Sequence, residues 1–295
     1  MRRGEPTEVG NGKDSFSLVA ESCPQCHSAK YVIRRGLRHN KSGIVQRFLC
    51  KRCGIKFISR TGFERMKHTA NAITVSLDLF FKGLSLSKIV DHLAQFHDTY
   101  VSDTTVYRWI RKYVILMSGR LDRLKPELSK KWHTDETCLK VGGRNEYMWN
   151  MLDSKTRFLI ATQVTKRRTG AEAQRIVRES LRRAGKQPRR WITDGLSSYR
   201  KAESDLTENG KTTHIRSKGL TEGTNNLIER FHGTVKERTK VMRGFRDGKT
   251  AALFAQGYRV YYNFVRPHKA LRGLTPAEAA GLPRRKTKNR WLGIL

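Results

Sequence analysis

Four cysteines in two Cys-x-x-Cys pairs, Cys23-Pro-Gln-Cys26 and Cys50-Lys-Arg-Cys53, constrain this chain more than any other local feature. Each pair turns a tight knuckle, and two knuckles let four thiolates close around one tetrahedral Zn²⁺ ion. The chain between them must therefore double back. Tyr31-Val-Ile-Arg and Gln46-Arg-Phe-Leu alternate like the two strands of a hairpin. The expectation is a structural zinc ribbon over residues 21–60, with a long hairpin loop, too small to fold without its metal. Disulfides are the alternative use of these thiols. They require export, and the start, Met1-Arg2-Arg3 followed by Gly, Glu, Pro and Thr, lacks the apolar stretch of a secretory signal. Cys23-Pro-Gln-Cys26-His27 also matches a haem-attachment pattern, but that reading needs export too and leaves the second pair unused. Residues 1–20 are polar and read as a disordered leader.

Charge bounds the partner. The 295 residues carry 60 Lys and Arg against 26 Asp and Glu, a net +34. Residues 1–68 hold 15 basic and 5 acidic side chains, residues 69–125 hold 8 and 5, and residues 126–295 hold 37 and 16. The excess runs through segments whose apolar periodicity says they fold. Solubility alone needs a net charge of only ~2–8, so the surplus points to a polyanion, most simply nucleic acid. No apolar run approaches the ~18 residues of a membrane span. A cytoplasmic, nucleoid-associated location without membrane contact is expected.

Residues 70–120 read as three helices. Ile73, Leu77 and Phe80/Phe81 form one apolar stripe, ended by Gly83; Ser85 starts a second helix with Leu86, Ile89, Val90 and Leu93 inward; Ser102 caps a third carrying Val106, Ile110 and Val114. This is a helix-turn-helix pattern whose third helix would offer Thr105, Arg108 and Lys112 to a DNA major groove.

Residues 126–282 form the largest unit. Lys131–Val141, Tyr147–Leu152 and Arg157–Val164 are successive strand candidates in an antiparallel meander. Thr169–Ala184 follows as an amphipathic helix, then strands at Arg190–Asp194 and Thr212–Arg216 and long helices near 224–242 and 249–265. The expected fold class is α/β, a mixed five-stranded sheet with flanking helices. Residues 283–295 read as a basic tail.

In so basic a domain a few acids stand in distinctive settings: Trp132-His-Thr-Asp135-Glu-Thr, Ile192-Thr-Asp194-Gly195 and Asn225-Asn-Leu-Ile-Glu229-Arg. A carboxylate on a central strand, one at the end of its neighbour and one on a helix over both can converge. Hard oxygen ligands of this kind suit Mg²⁺ or Mn²⁺, and such ions serve phosphodiester chemistry.

These segments, with the Asp194–Glu229 interval and the later run Tyr262-Asn-Phe-Val-Arg-Pro-His268-Lys-Ala-Leu-Arg-Gly-Leu-Thr-Pro276, resemble DDE-type insertion-sequence transposases, in particular the group headed by insertion sequence six. Their ribonuclease-H-like catalytic domain is shared with retroviral integrases. The resemblance spans nearly all of 70–282; the zinc ribbon departs from the shortest members of the group. It implies Asp135, Asp194 and Glu229 as a metal-binding catalytic triad, nicking at transposon ends to free 3′-hydroxyls, and their direct joining to target DNA. It also implies double-stranded DNA partners, at least a homodimer, and a bacterial or archaeal host. A domesticated DNA-binding regulator with an idle catalytic domain and a stand-alone nuclease are the other readings of the same residues.

Around the triad, Glu136 follows Asp135 and should point to the opposite face of the strand. His133 shares the Asp135 face and would orient it, touch DNA or simply pack. Asn225 and Asn226 precede Glu229 by one turn, where their amides would bond the scissile backbone or Glu229; Lys236, two turns on, would meet a phosphate. Arg266 and His268 would contact DNA or order the final turn. Cys138 reads as a small buried residue.

Overall fold

The computed structural model describes residues 22–40, 43–58, 62–63, 66–207, 211–217, 225–283 and 287–294; the expected leader lies outside them. Near the N-terminus, β1 (Val32–Asn40), β2 (Gly43–Cys50) and β3 (Lys56–Ile58) form an antiparallel sheet in the order β1-β2-β3. The hairpin strands end beside the cysteine knuckles, as the spacing required.

Three helices follow: α1 (Ala70–Lys82), α2 (Leu86–His97) and α3 (Asp103–Leu121). The Thr69, Ser85 and Ser102 side chains accept the exposed N–H groups of Ala72, Lys88 and Thr105 at their starts. Gly83 ends α1 at φ +125°, a conformation that favours glycine. Ile73, Leu77, Ile89, Leu93, Val106, Ile110 and Val114 are buried, so the apolar stripes face one another.

The second sheet contains β4 (Lys131–Val141), β5 (Arg144–Asp153), β6 (Leu159–Thr165), β7 (Arg190–Thr193) and β8 (Thr213–Arg216) in the order β6-β5-β4-β7-β8. β5 runs antiparallel to both its neighbours, β4 and β6, whereas β7 and β8 run parallel to β4. A parallel return needs a crossover, and α4 (Gly170–Ala184) and α5 (Tyr199–Thr207) supply two. Trp149 and Trp191 pack edge-on against Tyr199 of α5 on one face. The opposite face lies under α6 (Asn226–Met242) and α7 (Gly248–Val260). This is the ribonuclease-H-like arrangement, a central mixed sheet with helices on both faces.

Two details anchor the C-terminal part. After α7 the chain continues as one π-helical turn, Tyr261–Val265, in which buried Asn263 accepts from Leu159 N–H (2.8 Å) and donates to Leu159 C=O (2.9 Å). It clasps β6 where the β5/β6 register shifts. After α8 (Pro276–Ala279), the segment expected to be a tail contributes α9 (Arg290–Ile294), whose Trp291 is buried against Phe81 and Tyr261.

The α1–α3 unit is not a bead on a string: one continuous apolar core joins it to the sheet domain. Gly257 permits this, because a Cβ there would lie 2.4 Å from a ring atom of Phe81 and 2.7 Å from a methyl of Val114. Asp122, just past α3, pairs with Arg183 of α4 at 2.8 Å and with buried Arg259 of α7 at 2.5 Å. Among the described residues no helix is long and apolar enough to cross a membrane.

Candidate active site

The four knuckle cysteines converge. Cys23 Sγ lies 3.3 Å from Cys53 Sγ, Cys26 Sγ lies 3.6 Å from Cys50 Sγ, and all four sulfurs fall within 4.8 Å of one another. A disulfide needs ~2.05 Å. A tetrahedron of sulfurs ~2.3 Å from zinc has edges of ~3.8 Å, so the residues present fit that ion. Burial of Cys23 opposes ionisation, but N–H groups of Cys26 and Gln25 on its sulfur outweigh it and bring the thiol down to about 6.

A second cluster gathers Asp135, Glu136 and Asp194, with one carboxylate oxygen of each inside 4.8 Å. Asp135 and Glu136 do point to opposite faces, as alternation requires: Asp135 meets α6, and Glu136 accepts a 2.6 Å bond from Tyr199 Oη of α5. They still meet because β7 pairs with β4 only along 131–133. Beside 135–136 that edge of the strand is open, and both side chains reach round it. Asp194 arrives one residue beyond β7, where Leu196 N–H bonds its Oδ1 at 3.0 Å and Gly195 takes φ +84°.

The electrostatics call for a cation. Burial raises the Asp135 carboxyl to about 7, helped by the charges of Glu136, Asp194 and Glu229, while the N–H of Glu136 pulls the other way. Burial also raises Glu136, against the Tyr199 hydroxyl and the Arg168 guanidinium. Arg168 bonds Glu136 and stands 3.8 Å from Asp194.

Glu229 lies outside this tight cluster, exposed in the first turn of α6, near enough for its charge to bear on Asp135. Asn225 is the N-cap position; its C=O receives the N–H groups of Ile228 and Glu229. Its buried amide turns toward β4, with Oδ1 3.3 Å from His133 Nδ1. His133 is thereby a packed residue, its ring pushed down to about 4 chiefly by burial. Asn226 is exposed at the first helical position, and Lys236 is exposed two turns along.

His232 is absent from the residues expected at the site. It is buried three residues after Glu229, with Nδ1 3.5 Å from Asp135 Oδ2 and Nε2 3.1 Å from Asn150 Nδ2. Its i+3 position relative to Glu229 was the available signal, since that spacing shares a helical face. Cys138 needs correcting: it is exposed. The open β4 edge that assembles the acids also uncovers Cys138, in a groove of about 740 Å³ that includes Lys140, Lys236, Lys240 and Arg243. His268 orders the last turn, its ring edge-on to Tyr262 and its N–H bonded to Leu274 C=O. Arg266 lines a separate cavity of about 500 Å³ with Lys82, Lys288 and Arg290. On α3, Arg108 and Lys112 are exposed, while Thr105 is half-buried beside Ser102.

Residues 129–268, which hold this acid cluster and Glu229, match the model of a family described as a DDE domain. The transposase for insertion sequence-like element IS431mec of Staphylococcus aureus is 25% identical over 179 residues, 60% of this chain and 77% of the relative. The transposase for insertion sequence element IS257 in transposon Tn4003, also of Staphylococcus aureus, aligns to the same extent. Over residues 129–268 the chain is similar to the DDE domain of insertion-sequence transposases. The chain is an enzyme of the polynucleotidyl transferase and endonuclease class. The uncharacterized protein MJ0017 of Methanocaldococcus jannaschii is 25% identical over 215 residues, 72% of this chain and 94% of that protein. Among solved structures, the magnesium-bound HTLV-2 integrase catalytic core domain, in its trimeric form, aligns with a TM-score of 0.40 at 15% identity, covering 53% of this chain and 98% of the core domain. A simian T-cell lymphotropic virus intasome aligns at 0.43 and 15% identity, covering 72% and 76%.

Proposed function

We propose that this protein is a transposase that binds the ends of its own element, nicks them and joins the freed 3′-hydroxyls to target DNA. The observation that carries the reading is the gathering of Asp135, Glu136 and Asp194 within 4.8 Å on a chain of net charge +34. Clustered acids repel a phosphodiester unless a divalent cation covers them. Asp135 and Asp194, with Glu229 from α6, would hold Mg²⁺ or Mn²⁺, which when bound supplies Lewis-acid activation of the attacking oxygen and stabilisation of the leaving one.

The remaining work belongs to the chain. In nicking, a water oxygen bonds to phosphorus and the bond to the element's 3′-oxygen breaks, leaving a 3′-hydroxyl. In joining, that hydroxyl attacks a target phosphodiester, one P–O bond forms and one breaks, and no external energy source is needed. The basic surface neutralises DNA phosphates and holds the duplex, so binding falls steeply with salt. Asn226 and Lys236 lie along α6 beside the acids, suited to the scissile backbone and its phosphates; Asn225, turned inward to His133, sets the start of the helix that carries Glu229. Arg108 and Lys112 of α3, with Thr105, would read the terminal repeat. The Cys₄ cluster would hold Zn²⁺ and keep the ribbon folded for end recognition. Two ends must be held together, so the working form is at least a homodimer.

Strand transfer tests this. An oligonucleotide bearing an element end, a supercoiled target and Mg²⁺ are incubated with the wild type or with Asp194→Asn. Joined products are expected from the wild type only, with end binding retained by both. Products that survive the substitution, or a wild type that binds ends and joins nothing, would overturn the reading.

A further inference from the structure

The sheet face under α6 carries a polar row that crosses three strands. Asp135 on β4 sits opposite Asn150 on β5, and Asn150 sits opposite Thr162 on β6. His232 of α6 lies over the row. Thr162 Oγ1 donates to Asn150 Oδ1 at 2.9 Å, and Asn150 Nδ2 donates to Met148 C=O at 3.0 Å. The second hydrogen of that amide faces His232 Nε2, 3.1 Å away. Turning the amide over would set its oxygen against the Met148 carbonyl, so the network fixes its orientation. His232 Nε2 must then accept, and a neutral imidazole carries its one hydrogen on the other nitrogen. That nitrogen, Nδ1, faces Asp135 Oδ2 at 3.5 Å.

We propose that His232 is a positioning residue: its Nδ1–H, set by Asn150, holds Oδ2 of Asp135 while the Glu136 N–H holds Oδ1, so the carboxylate meets a divalent cation in one orientation. The Glu136 N–H bond measures 2.9 Å. Each Asp135 oxygen keeps a free lone pair for the ion. Groups that orient a ligand in this manner change metal affinity about 10–100-fold when removed. The role also ties the helix carrying Glu229 to the strand carrying Asp135, because His232 follows Glu229 by three residues on α6. The inference rests on the proposed cation-binding role of Asp135.

The experiment reads cation binding, not joining. Full-length protein with its zinc in place is titrated with Mn²⁺ and followed by electron paramagnetic resonance, for the wild type, Asp135→Asn, His232→Ala, His232→Asn and His232→Gln. Asp135→Asn and His232→Ala should both weaken binding, the latter about 10–100-fold. His232→Asn should recover most of the loss, because its amide N–H falls near the position of Nδ1–H, whereas His232→Gln reaches toward Nε2 and should not. Wild-type binding by His232→Ala, or equal binding by the Asn and Gln variants, overturns the positioning role; if His232→Ala fails to fold, the Asn and Gln pair decides. Undiminished Mn²⁺ binding by Asp135→Asn would remove the cation reading itself, and the positioning role with it.

Discussion

Asp135→Asn should stabilise the protein in the absence of divalent cations, although it removes a residue proposed to act in catalysis. In the folded chain the Asp135 carboxyl is raised from the usual 3.8 to about 7, first by burial and then by Glu136, Asp194 and Glu229. At ~1.4 kcal/mol per pKa unit, an interval of about three amounts to roughly 4 kcal/mol of stability lost on ionisation. The asparagine offers one acceptor where the carboxylate offers two, forfeiting ~1–2 kcal/mol against Glu136 N–H or His232 Nδ1–H. A net gain of roughly 2–3 kcal/mol remains at pH 8, or about 5–10 °C in melting temperature for a domain of this size. The pH dependence carries the sign. A carboxyl whose folded pKa is raised binds more protons folded than unfolded, so the wild type loses stability from about pH 4 to pH 7 and then levels off. The carboxylate penalty at pH 5 is therefore only about a third of that at pH 8, and the advantage of the variant disappears as pH falls further. Millimolar Mg²⁺ should reverse the order, since only the wild type gains from binding. Thermal unfolding by circular dichroism between pH 5 and pH 8, with and without Mg²⁺, provides the check. A variant that melts at or below the wild type at pH 8 without cation, or an advantage that grows on acidification, refutes the reasoning.

Zinc chelation should unfold the ribbon over residues 22–58 and weaken end binding while the sheet domain keeps its melting transition; hydrogen exchange resolved by segment would show whether protection is lost beyond the ribbon. Asp122→Ala leaves buried Arg259 without its carboxylate and should destabilise by about 3–5 kcal/mol in chemical denaturation. Gly257→Ala drives a methyl into Phe81 and Val114 and should destabilise by ~1–3 kcal/mol or more, with loosened packing of the α1–α3 unit on α7 visible as faster exchange in both.

The local patterns were legible because their causes are local. The α1–α3 stripes follow from spacing and caps, and the sequence reading of β4 coincides with Lys131–Val141 because alternation persists along the whole strand. The thiolate pairs also declared their convergence, since one tetrahedral ion admits few arrangements. Other features depended on neighbours distant in sequence. Cys138 alternates like a buried residue but is exposed, because β7 stops short and leaves that edge of β4 uncovered. The stretch read as a basic tail packs Trp291 against helices whose nearest residues lie far back in the chain.

By itself, then, the sequence determined the modules, the polyanionic partner and the acids at issue, because periodicity, charge and ligand spacing are properties of short segments. Tertiary structure alone decided that Glu136 joins Asp135 and Asp194 while Glu229 stands apart, that His133 turns to Asn225, and that His232 faces Asp135. Those outcomes depend on where a strand edge is left open and on which side chains share a buried hydrogen-bond row. Strand pairing and helix docking set both, across separations of up to about a hundred residues.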